Sequence, residues 1–312
     1  IKTSLPILLR ATIRPTASPL PCHEYPILML YTVLAYLIWG SFAAFFPLLK
    51  PAAPLEILAH RVVWTAVFML ILIVATKAIR ELRAADRRTW LSIGAASIII
   101  AVNWLLYVIA VNSGHVSDAA FGYFINPLVN VLLGMVFLGE RLRNLQKISV
   151  TIAACAVIML TIASGQPPLL GLGLAFSFGF YGLIKKRVNV SAAASLAAET
   201  MVLFPIALLY LVFLTTQHQS TFTGFGAGHT ALLISAGLVT AVPLLLFGLG
   251  AKLIPLSTVG MLQYMTPTMQ MLWAVFVVDE QLTPIRWVGF VIIWISVAIY
   301  LTDIVVARRS SA

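Results

Sequence analysis

Hydrophobic residues form ten long runs along this chain, and polar residues gather between the runs. Each run is close to the 20 or so apolar residues that an α-helix needs to cross a hydrocarbon core of about 30 Å. The pattern predicts an all-α integral membrane protein with ten transmembrane helices and no soluble domain. The runs occupy residues 28–49, 55–76, 91–111, 117–139, 145–163, 168–185, 191–214, 230–250, 256–278 and 284–305.

The second half of the chain repeats landmarks of the first half after a shift of 140 residues. Under this shift Pro127 falls on Pro267 and Glu140 falls on Glu280, at matching places in their runs. Each copy contains five runs. Because five is odd, the second copy must cross the membrane upside down relative to the first. We therefore expect two inverted five-helix repeats, an architecture that recurs among secondary transporters.

This division gives four segments. They are an N-terminal extension at residues 1–27, a first repeat at 28–165, a second repeat at 166–305 and a short cytoplasmic tail at 306–312. Five prolines in the extension favour a disordered segment or a misplaced start. Its arginines with little acid would instead suit an organelle transit peptide.

Composition supports a membrane location. The chain is 61% hydrophobic and 10% charged, with a mean hydropathy of +1.01, so much of its apolar surface must face lipid. The net charge is +10, but the basic residues lie in short loops rather than on one soluble face. We expect the lipid bilayer, and not nucleic acid, as the macroscopic partner.

The basic residues are also distributed unevenly between the two sides. If the N-terminus is inside, 17 of the 20 lysines and arginines lie in inner segments, whereas the outer loops hold two, Lys50 and Arg286. Basic loops stay in the cytoplasm. Both termini are therefore expected to be cytoplasmic.

Prolines and polar side chains interrupt the apolar runs. Pro127, Pro243 and Pro267 are expected to kink their helices, because proline has no N–H to bond the carbonyl one turn earlier. Such a carbonyl must face protein or a wet cavity. The polar side chains predict a shared substrate-binding cavity, although each amide could instead bond a neighbouring helix as a packing contact. The residues concerned are Asn103, Tyr107, Tyr123, Asn126, Asn130, Gln263, Tyr264 and Gln270.

Ionisable groups inside the runs are candidates for function, since charges at a helix centre cost about 2.5–3.5 kcal/mol. His60 and Arg61 are expected to meet a polar or anionic group of the substrate. Arg61 could also snorkel to headgroups, or pair with Glu56 or Glu199. Glu199 stands alone in the seventh run, which suits a carrier of a proton or cation; the alternative is a neutral carboxyl that bonds a neighbour.

Other chemistry is not indicated. The chain lacks a G-x-x-x-x-G-K-[ST] phosphate loop, which argues against ATP drive, and has no His/Cys cluster with metal spacing. The Ser, His and Asp of "GHVSD" at 114–118 lie in a loop that opens a helix. We expect neither catalysis, metal nor cofactor.

Several motifs together resemble the RarD subfamily of the EamA-type transporters, within the drug/metabolite transporter superfamily. The resemblance covers about residues 28–305. It implies a bacterial inner-membrane permease with a central cavity lined by the third, fourth, eighth and ninth helices among others, and export of metabolites or drugs. The motifs are "LAYLIWG" (34–40), "EILAHRVVW" (56–64), "NWLLYVIAVN" (103–112), "GYFINPLVNVLLGMVFLGERL" (122–142) and "LGLAFSFGFYGLIKK" (172–186).

These observations predict a secondary transporter that moves a small metabolite or drug-like compound by alternating access. Export is favoured by the resemblance alone. Two alternatives stay open: a membrane-embedded enzyme acting on lipid-linked substrates, and a non-transporting assembly subunit. The sequence carries no signal for an oligomeric state.

Overall fold

The computed structural model describes residues 25–112, 116–164, 169–279 and 281–309, and in these residues the regular structure is helical. The helices, in chain order, are α1 Tyr25–Gly40, α2 Phe42–Phe45 with a following 3-10 turn Phe46–Leu49, α3 Pro54–Ala75, α4 Ile79–Ala84, α5 Arg87–Asn112, α6 Val116–Leu138, α7 Asn144–Ser164, α8 Leu169–Arg187, α9 Ala192–Thr216, α10 Gly226–Leu253, α11 Leu256–Gln263, α12 Met265–Phe276 and α13 Pro284–Arg309.

The prediction of an all-helical membrane protein is confirmed. In the described part of the chain, eight helical segments are long and apolar enough to cross a membrane, and Gly122–Leu138 forms a shorter apolar helix. Large apolar side chains cover the outside: Ile71, Ile162 and Phe276 are 62%, 74% and 72% exposed. A continuous apolar surface of this kind is stable only against lipid.

The first apolar run is not one straight helix, as the pattern predicted. Helix α1 ends at Gly40, and the chain continues through α2 and a 3-10 turn to Leu49. A side chain at Gly40 would meet Met269 of α12, with a Cβ only 2.6 Å from its sulfur. Glycine here lets the first run pass close to the second half of the molecule.

The ninth run is also divided, at Tyr264 between α11 and α12. Pro267 explains the position, because it cannot bond the carbonyl of Gln263 one turn earlier. By contrast, α6 and α10 continue through Pro127 and Pro243. Of the three predicted proline sites, one interrupts its helix and two lie within continuous helices.

Helix packing follows the internal repeat. Under the shift of 140 residues, α1 corresponds to α8, α3 to α9, α5 to α10, α6 to the α11–α12 pair, and α7 to α13. The packing of α1 on α10 has its counterpart in α8 on α5, and that of α6 on α8 in α12 on α1. One large core lies between the halves, and a second cluster lies where α7 meets α13.

Short polar connections fix the helix ends. Asp86 precedes α5 and accepts a hydrogen bond from the Thr89 backbone N–H at 2.9 Å, the usual N-cap arrangement. Hydrogen bonds from the Thr89 side chain and backbone hold the pKa of Asp86 below its ordinary value. Several predictions lie outside the described residues, namely those on residues 1–24, on Glu280 and on residues 310–312.

Candidate functional site

A cavity of about 420 Å³ lies between the two halves of the molecule. The first half contributes α1, α2, α3, α5 and α6 to its wall, and the second half contributes α8, α10, α11 and α12. The cavity extends from the middle of these helices to the end where Phe46 and Pro47 close the first run. We call this the open end. The last turns at the opposite end, which we call the closed end, contribute no residue to the wall.

Most of the predicted binding residues meet at this cavity. They come from five helices and from both halves of the sequence, so the fold alone brings them together. The predicted residues on the wall are Arg61, Asn103, Tyr107, Tyr123, Asn126, Gln263 and Gln270.

Three predicted residues do not line the cavity. The His60 ring is stacked on Phe222, with 4.8 Å between ring centroids, because neighbouring positions on a helix point about 100° apart and Arg61 takes the cavity side. Tyr264 is buried in the cluster between α7 and α13. Asn130 is fully buried beneath the cavity.

Amides on the wall also join neighbouring helices. Asn103 donates from Nδ2 to the Leu174 carbonyl and to Ser177 Oγ, both at 2.9 Å. Gln270 Nε2 lies 3.4 Å from the Trp39 carbonyl oxygen. Packing and cavity lining, posed above as alternatives, therefore coexist at the same side chains.

The cavity floor is an amide contact between the two halves. Asn130 of α6 donates from Nδ2 to Gln263 Oε1 of α11 at 3.1 Å. Beside it, Gly260 lies so close that a Cβ would be 2.6 Å from the Pro127 carbonyl oxygen. The absence of a side chain at Gly260 thus lets α6 and α11 touch below the cavity.

Arg61 supplies the charge on the wall. Its Nε donates to Thr240 Oγ1 at 2.9 Å. Three aromatic rings surround the guanidinium, at 5.2–5.8 Å from its carbon to the ring centroids, within the range of cation–π attraction. These rings belong to Phe42, Phe46 and Trp104.

The expected alternative that Arg61 pairs with Glu56 or Glu199 is wrong. No carboxylate of the described residues lies within 4 Å of Arg61. Glu56 is buried and instead accepts hydrogen bonds from the Thr221 N–H at 2.7 Å and from Ser220 Oγ at 3.2 Å. This carboxylate holds the loop at 217–225 over the open end of α3.

The expectation that Glu199 stands alone is also wrong. Lys185 Nζ lies 2.8 Å from Glu199 Oε1, and both side chains are buried. Ser195 and Tyr181 donate to the same carboxylate at 2.5 and 2.9 Å. The sequence interpretation missed Lys185 because "KKR" looks like a basic loop. The sequence did contain a signal for this pair. A carboxylate inside an apolar run, such as Glu199, needs a partner when it is buried.

The closed end is held by a carboxylate cap. Gly139, with φ +66°, ends α6 in the left-handed conformation that favours glycine. Glu140 then reaches the start of α11 and accepts from the backbone N–H groups of Leu256 at 2.6 Å and Ser257 at 2.9 Å. A carboxylate at a helix N-terminus is favourable. The contact ties the first half of the molecule to the second.

Comparison with known proteins identifies the family. The EamA-like transporter family matches residues 26–162 and again residues 167–302. Protein RarD of Streptomyces exfoliatus is 48% identical over 288 residues, which cover 91% of each chain. The uncharacterized transporter YojE of Bacillus subtilis is 41% identical and covers 91% of this chain and 96% of its own.

A solved crystal structure of a protein with 16% identity superposes with a TM-score of 0.69, over 88% of this chain and 97% of that one, which shows a shared fold. The resemblance to RarD proteins expected from the motifs is confirmed by the sequence matches. The two family matches establish that the domain is duplicated. The chain therefore belongs to the EamA-like transporter family, as an all-helical, multi-pass membrane protein with bacterial relatives.

Proposed function

We propose that the protein is a secondary transporter that binds a small metabolite or drug-like compound in the cavity and moves it by alternating access. One observation carries the proposal: the cavity lies between two copies of one domain, and its lining reaches only one end of the helices. A cavity of this size suits a small organic molecule. The cavity side chains named above form its substrate site in this proposal.

The proposed topology has ten crossings. To the eight long spans we add α6 and the α11–α12 pair, which occupy equivalent places in the two repeats. With five crossings each, the repeats are inverted, and the positive-inside rule puts the closed end and both termini in the cytoplasm. The cavity then faces the outside of a bacterial inner membrane.

The repeat also explains why Asn130 is buried. Its counterpart under the shift of 140 residues is Gln270, which lines the open cavity. If the halves exchange conformations, Asn130 becomes the lining residue of a cavity that opens at the other end. Tyr107 and Phe247 form a second such pair, 36% and 0% exposed.

The exchange requires contacts between the halves to break. The Glu140 cap on α11 and the Asn130–Gln263 contact both cross from one half to the other. The Lys185–Glu199 pair lies within the second half and can move as part of one body. Coupling through Glu199 stays a prediction, and its neutralisation by Lys185 weighs against it.

We propose no enzymatic role. The described wall offers amides, aromatic rings, hydroxyl groups and a guanidinium, and the relatives' family is one of transporters. Export is the proposed direction because of the resemblance to RarD. No metal or cofactor enters this proposal.

Single cysteines at equivalent positions of the two repeats test alternating access. Ala43 lines the cavity, and its counterpart Leu183 is buried toward the closed end. With Cys22 and Cys155 replaced by serine, Ala43→Cys and Leu183→Cys would be labelled with a membrane-impermeant maleimide, in right-side-out and inside-out vesicles. We expect labelling of the two positions from opposite faces.

An Ala153→Cys variant, buried in the α7–α13 cluster, serves as the unlabelled control. Labelling of both cavity positions from the same face, or no labelling of Leu183→Cys from either face, would contradict alternating access. A metabolite-uptake screen in inside-out vesicles, with and without a proton gradient, then tests transport and its coupling.

A further inference from the structure

We propose that the substrate is an organic anion with one negative charge and a flat, apolar body, whose charge binds Arg61. This inference rests on the proposed function, because it names the class of compound that the cavity carries. It depends on what surrounds Arg61 and on what the rest of the wall lacks.

Arg61 carries the charge on the cavity wall. Among the lining residues that the structure describes, the others are uncharged, and none is acidic. Its Nε bonds Thr240, while the two terminal nitrogens make no hydrogen bond to the described residues. The partly buried guanidinium therefore has donors available at the cavity wall, and an entering carboxylate could accept two parallel hydrogen bonds from it.

The positive charge of Arg61 favours an anionic substrate. A cationic substrate would be repelled by Arg61 and would find no carboxylate on the described wall to bind its charge. A zwitterion would leave its ammonium group without an ionic partner. A singly charged anion is the class of substrate whose charge Arg61 would neutralise completely.

Aromatic rings on the wall favour a flat, apolar substrate body. The rings that line the cavity are those of Trp39, Phe42, Phe46, Trp104 and Phe178. Trp39 and Phe178 meet edge to face, with centroids 5.7 Å apart, and form one rigid apolar side. A flat hydrocarbon or aromatic body gains contact area against such rings without needing hydrogen bonds.

At the floor of the cavity the lining is uncharged and polar, with Asn126 and Gln263 beside Asn130. These amides can both donate and accept hydrogen bonds. They suit a hydroxyl, carbonyl or amide group on the substrate, separated from its anionic group by the apolar body.

A matched series of ligands tests the assignment. Phenylacetate, 2-phenylethanol and 2-phenylethylamine share an aromatic body and differ in charge. Isothermal titration calorimetry on the full chain in lipid nanodiscs would measure binding of each. We expect phenylacetate to bind at least tenfold more tightly than either of the others.

Two substitutions at Arg61 make the test specific. Arg61→Gln should weaken phenylacetate binding at least tenfold and change 2-phenylethanol binding less than threefold. Arg61→Lys, which keeps the charge, should restore part of the preference. Circular dichroism and gel filtration of each variant would exclude a folding defect.

The outcomes separate this inference from the proposed function. Equal or tighter binding of the alcohol or the amine, an anion preference unchanged in Arg61→Gln, or no binding of any compound would overturn the inference. The maleimide experiment does not depend on the ligand's charge. If its two positions label from opposite faces while the anion preference is absent, the transporter proposal stands and the substrate class falls.

Discussion

Two cations inside the helix bundle of this protein, Lys185 and the partly buried Arg61, have opposite surroundings. Lys185 is fully buried near the closed end, where Glu199 lies 2.8 Å away and Ser195 and Tyr181 complete the carboxylate's hydrogen bonds. Arg61 lies on the cavity wall, with a threonine hydroxyl and three aromatic rings as neighbours. From the sequence, Arg61 lies inside an apolar run and Lys185 looks like part of a basic loop, yet Lys185 is the one that is fully buried.

This difference distinguishes a cation that stabilises the fold from a cation that is available to bind a ligand. A cation whose partner belongs to the same half of the protein is neutralised before any ligand arrives. A cation without a carboxylate at the wall of a cavity retains its capacity to bind an anion. The position of a charge in the hydrophobicity pattern, which is the criterion available from sequence, does not distinguish these cases.

The largest expected effect is the loss of one member of the buried pair. Glu199→Gln leaves the Lys185 ammonium without its carboxylate in a dry environment. Breaking such a pair typically lowers the free energy of unfolding by about 3–5 kcal/mol. Unfolding of the purified protein by SDS titration in mixed micelles would measure it.

The double variant Lys185→Met with Glu199→Gln is the control. Because it removes both charges, its stability should return to within about 1–2 kcal/mol of the wild type. Equal destabilisation of the single and double variants would show that the Lys185–Glu199 attraction is not what matters there. If Glu199 carries the coupled ion, the double variant would fold but lose gradient dependence.

An intermediate effect on stability is expected at the cavity floor, where α6 contacts α11. Gly260→Ala places a methyl group 2.6 Å from the Pro127 carbonyl oxygen, at the contact between α6 and α11. Overpacking of this kind costs about 1–3 kcal/mol. Gly94→Ala is the matched control, because a Cβ there meets no described atom within 4 Å. The same SDS titration applies, and equal stability of the two variants would contradict close packing at the floor.

A smaller change in stability is expected at Arg61. Arg61→Gln removes one hydrogen bond and the cation–π contacts, but it also removes a charge without a carboxylate partner. The free energy of unfolding should stay within about 1 kcal/mol of the wild type, since a net hydrogen bond contributes about that much. A loss as large as that of Glu199→Gln would mean that Arg61 is a structural charge like Lys185.

The smallest effect is expected for an ion pair whose cation is half exposed while its carboxylate, Asp303, is buried. Arg143 and Asp303 lie 2.6 Å apart, but the arginine side chain is 48% exposed. Arg143→Gln should lower the free energy of unfolding by about 0.2–1 kcal/mol, and added salt should reduce the difference. A loss comparable to that of Glu199→Gln would show that burial does not govern the strength of these pairs.

Much of the architecture could be predicted from the chain. Except for the first and ninth runs, which are divided, the apolar runs match the long helices to within a few residues, because lipid requires helices with satisfied backbones. Seven of the ten predicted polar residues meet at one cavity. The landmark Pro267 also marked the interruption of the ninth run.

The sequence could not show which side chains the fold brings into contact. His60 and Arg61 are adjacent in sequence but face a loop and a cavity respectively. Lys185 and Glu199 lie on different helices, 14 residues apart. Side-chain direction and helix neighbours decide these cases, and hydrophobic periodicity contains neither.

The chemistry of the contact between Asn130 and Gln263 determines how the cavity floor should respond to dissolved salt. Both groups are uncharged amides, so dissolved ions have almost nothing to screen when the floor parts. An ionic latch at that depth would loosen as salt rises. In the proposed alternating-access cycle, separation of this floor is instead expected to be about as easy in dilute as in concentrated electrolyte, so transport would be largely indifferent to ionic strength at this step.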